Sequence, residues 1–249
     1  MPTAEALPKG FKHDRRWMLI GPDNTMMTQR VHPLMALIQP TISNGNLVLS
    51  HRQQQQEPVA VPLSLGGSTL HTQVFDDPVE VQALTTPANE GLSDALGTPV
   101  RLVVQPEPSP RQADLRFAQE GEHVSLADGF PYLLISQESL DLLNSKLPEP
   151  VPMNRFRPNI VVRGCQSPQE EDTWQAFKAS DIRFRVVKPC ARCILTTVDQ
   201  KQGIRSGAEP LKTLSTYRKR DNKTLFGMNL LVDQMGTLQV GDPLFPEYT

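Results

Sequence analysis

The 249-residue sequence has no run close to the roughly 18 consecutive apolar residues that a membrane-spanning helix needs. Its opening, MPTAEALPKGFKHDRRW, lacks the apolar core of a secretion signal, so the expected compartment is cytoplasmic. Cysteine is scarce as well. Cys165, Cys190 and Cys193 are too few for a disulfide framework and one short of an all-cysteine zinc site, which fits a reducing compartment. There is no charge bias, because 25 Lys and Arg nearly balance 27 Asp and Glu. That balance excludes a uniform field able to hold nucleic acid or an anionic membrane, so any basic site must be a local cluster.

Proline is plentiful. Twenty-three prolines spread among short apolar runs limit long helices and predict a mostly β chain with a few helices. Trp17–Ile20 and Met26–Thr28 flank the turn residues Gly21-Pro22-Asp23-Asn24, which predicts a hairpin. Leu34–Ile38 and Leu47–Leu49, joined through Asn44-Gly45-Asn46, predict another. The glutamines at 53–56 read as an exposed loop. Residues 91–97 read as a short helix closed by glycine and followed by a strand at 100–104, and the prolines of 106–111 mark a loop or linker. Leu133-Leu134-Ile135 reads as a buried strand, with Ser136 capping a helix that carries Leu140, Leu142, Leu143 and Leu147. Further strands are expected at 160–162, 182–187 and 194–198, a helix at 209–217, and a closing hairpin of 228–232 with 238–240 around Gly236. No internal repeat is present.

The densest chemistry lies in Val187-Lys188-Pro189-Cys190-Ala191-Arg192-Cys193, where thiols stand beside cations on an expected strand. A neighbouring positive charge favours thiolate, a soft ligand or nucleophile. The two-residue spacing also fits a redox pair or half a zinc site. A redox pair normally opens a helix, whereas Ile-Leu-Thr-Thr-Val follows here, and zinc would have to recruit Cys165, His13, His32, His51, His71 or His123 at no recognisable spacing. The bland alternative is two small buried apolar residues. Arg155-Phe156-Arg157-Pro158-Asn159 places two guanidinium groups and an amide before a strand, suited to phosphate or carboxylate, or else forms a solvated turn. In His13-Asp14-Arg15-Arg16-Trp17, alternate side chains face opposite sides, so Arg15 or Arg16 is expected to face an interior site, with Trp17 as core or a ring wall. Glu170-Glu171-Asp172 reads as the acidic first turn of a short helix.

Together, 10–17, Thr28-Gln29-Arg30, 155–162, Glu171-Asp172-Thr173-Trp174, 188–193 and Gly241-Asp242-Pro243 resemble the MOSC family over nearly the whole chain. More narrowly, they resemble the branch with an N-terminal β-barrel domain that includes amidoxime reducing components. The resemblance implies a MOSC β-barrel interlocked with a smaller N-terminal β-barrel-like domain, divided as 1-105 and 106-249. It also implies a molybdenum cofactor (molybdopterin). Cys193 corresponds to the metal ligand, a soft thiolate suited to a high-valent metal already held by pterin sulfurs. Arg15, Arg157, Asn159 and Arg192 match positions holding the cofactor's phosphate and pterin, and Asp128 matches an acidic position near the metal. One departure is that the family's usual first strand, ending in a Tyr-Pro-Val-Lys-Ser-like segment, is not in this sequence; either the start is truncated or misassigned, or part of the pocket is lost, and with it a charge-assisted phosphate contact.

The resemblance therefore implies a molybdenum-dependent oxidoreductase that reduces small N-hydroxylated compounds, with Cys193 and Asp128 in catalytic positions. The sequence carries neither a C-terminal cysteine quartet for an iron–sulfur cluster nor a desulfurase domain with lysine-bound pyridoxal phosphate. Electrons are thus expected from a separate electron-donor protein, a reductase or a flavin, haem or iron–sulfur protein. Two alternatives stand beside it: a non-catalytic cofactor-binding or carrier module, and a cysteine-persulfide sulfur-transfer protein using the same thiolate as nucleophile. Neither nucleic acid nor membrane is an expected partner.

Overall fold

The structure, a computed structural model, describes residues 2–54 and 57–248. Gln55 and Gln56 of the expected glutamine loop lie outside the described residues, while Gln53 and Gln54 are exposed. The chain is mostly β. It forms two compact units: Met1–Arg15, Pro110–Thr197 and Gly207–Thr249 make the first, and Arg16–Ser109 with Val198–Ser206 make the second. The chain therefore passes from one unit to the other four times, which is the covalent sense in which the two interlock.

In the first unit a sheet runs in the order Ile160–Val162, Tyr132–Ser136, Lys223–Gln234, Ile182–Arg192, Trp174–Ala179, Leu244–Tyr248. Only its first pair is parallel, with Leu134 opposite Ile160. A parallel pair needs a crossover, and the helix Gln137–Asn144 lies within it. Tyr132–Ser136 is buried on both faces, which is why it reads as an unbroken apolar run. Tyr132 and Leu134 meet Phe177, Ile182 and Phe184 on one side; Leu133 and Ile135 meet Leu140, Leu143 and Phe226 on the other. Each such apolar side chain contributes about 1.5–3 kcal/mol by leaving water.

Ser136 caps the helix as expected, its Oγ accepting from Ser139 N at 3.1 Å. The carboxylate of Glu171, 1% exposed, sits at that helix start and accepts from Ser136 N, Ser136 Oγ and Ser139 Oγ at 3.2, 2.8 and 2.7 Å. Hydrogen bonds and the helix dipole replace the water that this buried charge loses.

The second unit holds a four-stranded antiparallel sheet, Trp17–Ile20, Arg101–Val104, Asp77–Ala83, Ser68–Val74, and a three-stranded one, Ile38–Ser43, Asn46–His51, Val59–Pro62. Its helix Ala88–Leu96 buries Ala88, Leu92 and Leu96, spaced four apart on one face, and ends at Gly97 with φ 66°.

Four expectations need correction. The strand expected at 194–198 is a 3-10 helix, Ile194–Thr197, followed by the short strand Val198–Asp199. The threonine hydroxyls explain it: Thr196 and Thr197 bond back to the carbonyls of Cys193 and Ile194, competing with a strand ladder. Leu34–Leu37 likewise belongs to a 3-10 helix that Pro33 begins, and the hairpin strand starts at Ile38. Its turn is Asn44-Gly45, with φ of 48° and 73° and Ser43 opposite Asn46. The hairpin around Gly21 shrinks to the single bridge Ile20–Met26, and the ladder of Trp17–Ile20 is formed on its other edge with Arg101–Val104. Finally, Gly236–Gln239 does not close a hairpin on Lys223–Gln234 but pairs with Thr3–Leu7. A single residue, Met235, separates the two strands, too little for a hairpin turn.

Candidate functional site

Three of the cations singled out from the sequence come together in the first unit. Arg15 ends a turn in which His13 and Arg15 hold φ of 68° and 50°, and Arg157 holds φ of 55°. A left-handed backbone costs a non-glycine residue about 1–2 kcal/mol, so the surrounding bonds must hold it. Those bonds run between the arginines. Arg15 Nη2 donates to the carbonyl of Arg157 at 3.1 Å, and Arg192 Nη2 donates to the carbonyl of Phe156 at 2.6 Å. Two successive carbonyls of the 155–159 turn are thus gripped by the guanidinium groups of the other two arginines. Arg192 also stands over the Phe156 ring, 5.5 Å from its centroid.

The Arg157 guanidinium itself makes no hydrogen bond among the described residues. The residue is exposed, and the protein atoms crowding its guanidinium, with positive Arg15 and Arg192 beside it, hold it below the usual arginine range. Asp14 opposes the shift. Its Oδ2 accepts from Arg15 Nη1 and from Asn159 Nδ2, the latter at 2.7 Å. Asn159 Oδ1 accepts from Leu133 N at 3.0 Å, so this amide ties the turn to the central strand with both of its ends. Arg192 Nε is buried without a hydrogen-bond partner among the described residues.

Cys190 and Cys193 take different positions. The strand Ile182–Arg192 pairs with Lys223–Gln234 through register shifts at Val186/Lys188 and Pro189/Ala191, bulges that bend it and re-aim the residues beyond. Cys190 packs against the Leu133–Phe156–Phe226 cluster, and its Sγ accepts from Arg192 Nη1 at 3.0 Å. Cys193 follows the strand and is half-buried. Its carbonyl accepts from Thr196 N and Oγ1 at 3.1 and 3.0 Å. The strand context that weighed against a redox pair therefore holds before Cys193 and not after it. Cys165 lies apart from this turn: burial, with Glu138, Glu171 and Glu170 adding, pushes its thiol up to about 12, so it holds its proton at neutral pH. No three His, Cys, Asp or Glu side chains converge for a metal among the described residues.

Asp128 is exposed on a loop held from two sides. Arg111, 5% exposed, donates to the carbonyls of Ser125, Ala127 and Asp128 at 2.8, 2.5 and 2.9 Å, while Leu126 N donates to the Arg15 carbonyl at 3.0 Å. The backbone after Arg15 leads into the second unit, where Arg16 is occupied by the Glu107 carboxylate and the Gln105 carbonyl. Of the two candidates, Arg15 joins the cluster. Sequence reasoning missed Arg111, which looks like part of a solvated linker, and left Asp14 without a role. Alternation would have set Asp14 on the face opposite Arg15; the turn at 12–15 is what lets the two neighbours meet.

The model of the MOSC domain matches residues 121–245, and that of the MOSC N-terminal beta barrel domain matches residues 1–99. The chain is 32% identical over 259 residues to mitochondrial amidoxime-reducing component 1 of Xenopus laevis, covering 98% of this chain and 75% of that protein. It is 32% identical over 257 residues to the human component 1, with the same coverage, and 34% identical over 259 residues to mitochondrial amidoxime reducing component 2 of Rattus norvegicus, with 98% and 76% covered. By both of its matched domains and by these relatives, the chain belongs to the MOSC family, in the branch that carries the N-terminal beta barrel domain.

Proposed function

We propose that the arginine cluster binds the phosphate end of a molybdenum cofactor and that the protein reduces N-hydroxylated compounds. The observation that carries the reading is the unpaired Arg157 guanidinium, presented by a strained turn that Arg15 and Arg192 hold. Three guanidinium charges against the single Asp14 carboxylate leave a surplus of two, which matches a phosphate monoester dianion. The buried Nε of Arg192 supplies a further donor in want of an acceptor, so the residues present fit an anionic group.

In this reading Arg157 would receive the phosphate, Arg15 and Arg192 fix its turn and add charge, and Asn159 holds the turn against the central strand and would help hold the pterin. Cys193 is the protein's metal ligand, its backbone set by Thr196, and Asp128 orients substrate or passes protons. When bound, the cofactor supplies two-electron chemistry: an N-hydroxylated compound, two electrons and two protons give the reduced nitrogen compound and water. The electrons come from a separate donor protein. The relatives are named for amidoxime reduction, which supports this substrate class. The sequence domains are proposed to divide as 1-105 and 106-249, although the compact units exchange residues 1–15 and 198–206 across that line. The relatives are also named for mitochondria; for this chain the cytoplasm remains the proposed compartment, on its three free cysteines.

The test is metal and pterin analysis of the protein from a host that makes molybdenum cofactor, followed by reduction of an aryl amidoxime with a chemically reduced viologen as donor. Near-stoichiometric molybdenum with turnover is expected, and Cys193→Ala should lose both. Molybdenum without turnover would make the protein a carrier module, and full turnover by Cys193→Ala would remove the ligand assignment.

A further inference from the structure

Among the described residues Asp14 is the one carboxylate bonded to the arginine cluster, and it touches it at a decisive place. Its Oδ2 takes a hydrogen bond from Arg15 Nη1 and another from Asn159 Nδ2 at 2.7 Å. Through Arg15 it reaches the Arg157 carbonyl, and through Asn159 it reaches Leu133 N in the core strand. Its negative charge is also felt at Arg157, where it opposes the repulsion from Arg15 and Arg192. Without a counter-charge, guanidinium groups brought this close would repel one another, and the left-handed turns at Arg15 and Arg157 would have to be held against that repulsion as well as their own strain.

We propose that Asp14 is a built-in counter-anion of the cluster: a positioning residue that assembles Arg15 and Asn159 and, by its charge, sets how strongly the cluster takes up an external phosphate. This rests on the reading of the cluster as a phosphate site. The two halves of the role have opposite signs. As a hydrogen-bond acceptor Asp14 assists binding by holding Arg15 and the turn in place. As a charge it competes with the incoming anion, because the field it cancels is the field that would attract phosphate. A neutral side chain that keeps the acceptor separates the two.

The experiment is calorimetric titration of the full chain with inorganic phosphate, at mildly alkaline pH and constant ionic strength, on wild type, Asp14→Asn, Asp14→Glu and Arg157→Ala, with denaturant midpoints for each. Asp14→Asn is expected to unfold at lower denaturant and yet bind phosphate about tenfold more tightly, an order of magnitude set by one unit charge a few ångströms away in a partly screened site. Asp14→Glu, which keeps the charge, should stay within a few-fold of wild type. A purely structural role would weaken phosphate binding along with stability, so unchanged or weaker binding by a folded Asp14→Asn overturns the proposal. If Asp14→Asn does not fold, Asp14→Gln, which also keeps an acceptor without the charge, serves as the neutral variant. If neither folds, the carboxylate is indispensable to the fold and not an adjustable counter-anion. The underlying reading fails separately: it falls if wild type takes up no phosphate, or if Arg157→Ala binds it as wild type does.

Discussion

The side chain of Arg15 donates to the main-chain carbonyl of Arg157 at 3.1 Å, and both residues hold a positive φ, 50° and 55°. A residue 142 positions away in sequence thus fixes the backbone of the arginine whose own side chain stays unpaired. Arg192 does the same for the preceding carbonyl. Stability is given up at this turn for the sake of what it presents, which is the arrangement expected where strain serves binding.

Replacing Arg157 by glycine should therefore separate stability from binding. Glycine adopts positive φ at no steric cost, and the substitution removes repulsion from Arg15 and Arg192. Against this stands the larger conformational entropy of glycine in the unfolded chain, roughly 0.5–1 kcal/mol. The expected net effect of Arg157→Gly is a gain of about 1 kcal/mol in urea unfolding, together with loss of phosphate binding. A loss of stability instead would mean that the Arg157 side chain contributes packing that its unpaired guanidinium does not reveal.

The parts of this site that were legible in the sequence are those that depend on neighbours along the chain. The cap at Ser136, the turn at Asn44-Gly45 and the doubly buried strand at Leu133–Ile135 follow from side-chain chemistry and periodicity over a few residues. The arginines were singled out as one site by resemblance to the family rather than by neighbours along the chain, since Arg15 and Arg157 stand 142 positions apart. What was not legible depends on partners far away. The pairing of Gly236–Gln239 with Thr3–Leu7 joins the two ends of the chain, and no local pattern encodes it. The helical turn after Cys193 hid behind β-branched residues, whose strand preference lost to two hydroxyl bonds. Arg111 reads as one more polar residue beside prolines, and only three carbonyls brought together by the 125–128 loop show it as buried.

Gly227 tests the packing beneath the cluster. It lies within the strand Lys223–Gln234 at φ 76°, and an added Cβ would stand 2.6 Å from the Leu134 carbonyl oxygen and 2.6 Å from Ile135 Cγ1. Backbone is on one side and a core side chain on the other, so neither yields without disturbing the strand that Asn159 grips. Gly227→Ala should cost about 2–4 kcal/mol in denaturant unfolding, combining the left-handed penalty with overpacking. A cost below about 1 kcal/mol would show that the sheet relaxes there.

The acid limb of stability should carry the mark of Asp114. Hydrogen bonds from the Arg116 side chain hold its carboxyl down to about 2, with backbone Arg116 N and the charges of Arg116 and Lys188 adding and burial opposing. Arg116 Nε and Nη2 reach its two oxygens at 2.9 and 2.6 Å, and Lys188 Nζ stands 3.9 Å away over the rings of Phe117 and Phe130. Unfolding returns the carboxyl to the ordinary range near 3.9. A depressed folded value makes the contribution fully present above about 4 and progressively lost as pH falls through about 2. Asp172 works in the opposite sense, since burial raises it, while Asp23, Glu170 and Glu247 are lowered as Asp114 is, so the wild-type profile mixes all of them. Subtracting the profile of Asp114→Asn isolates the part due to Asp114. Asp114→Asn should be the less stable protein at pH 5, with a gap that closes steadily between pH 4 and 2. A gap that persists unchanged to pH 2 would assign the loss to altered packing around Phe117 rather than to the carboxylate's charge.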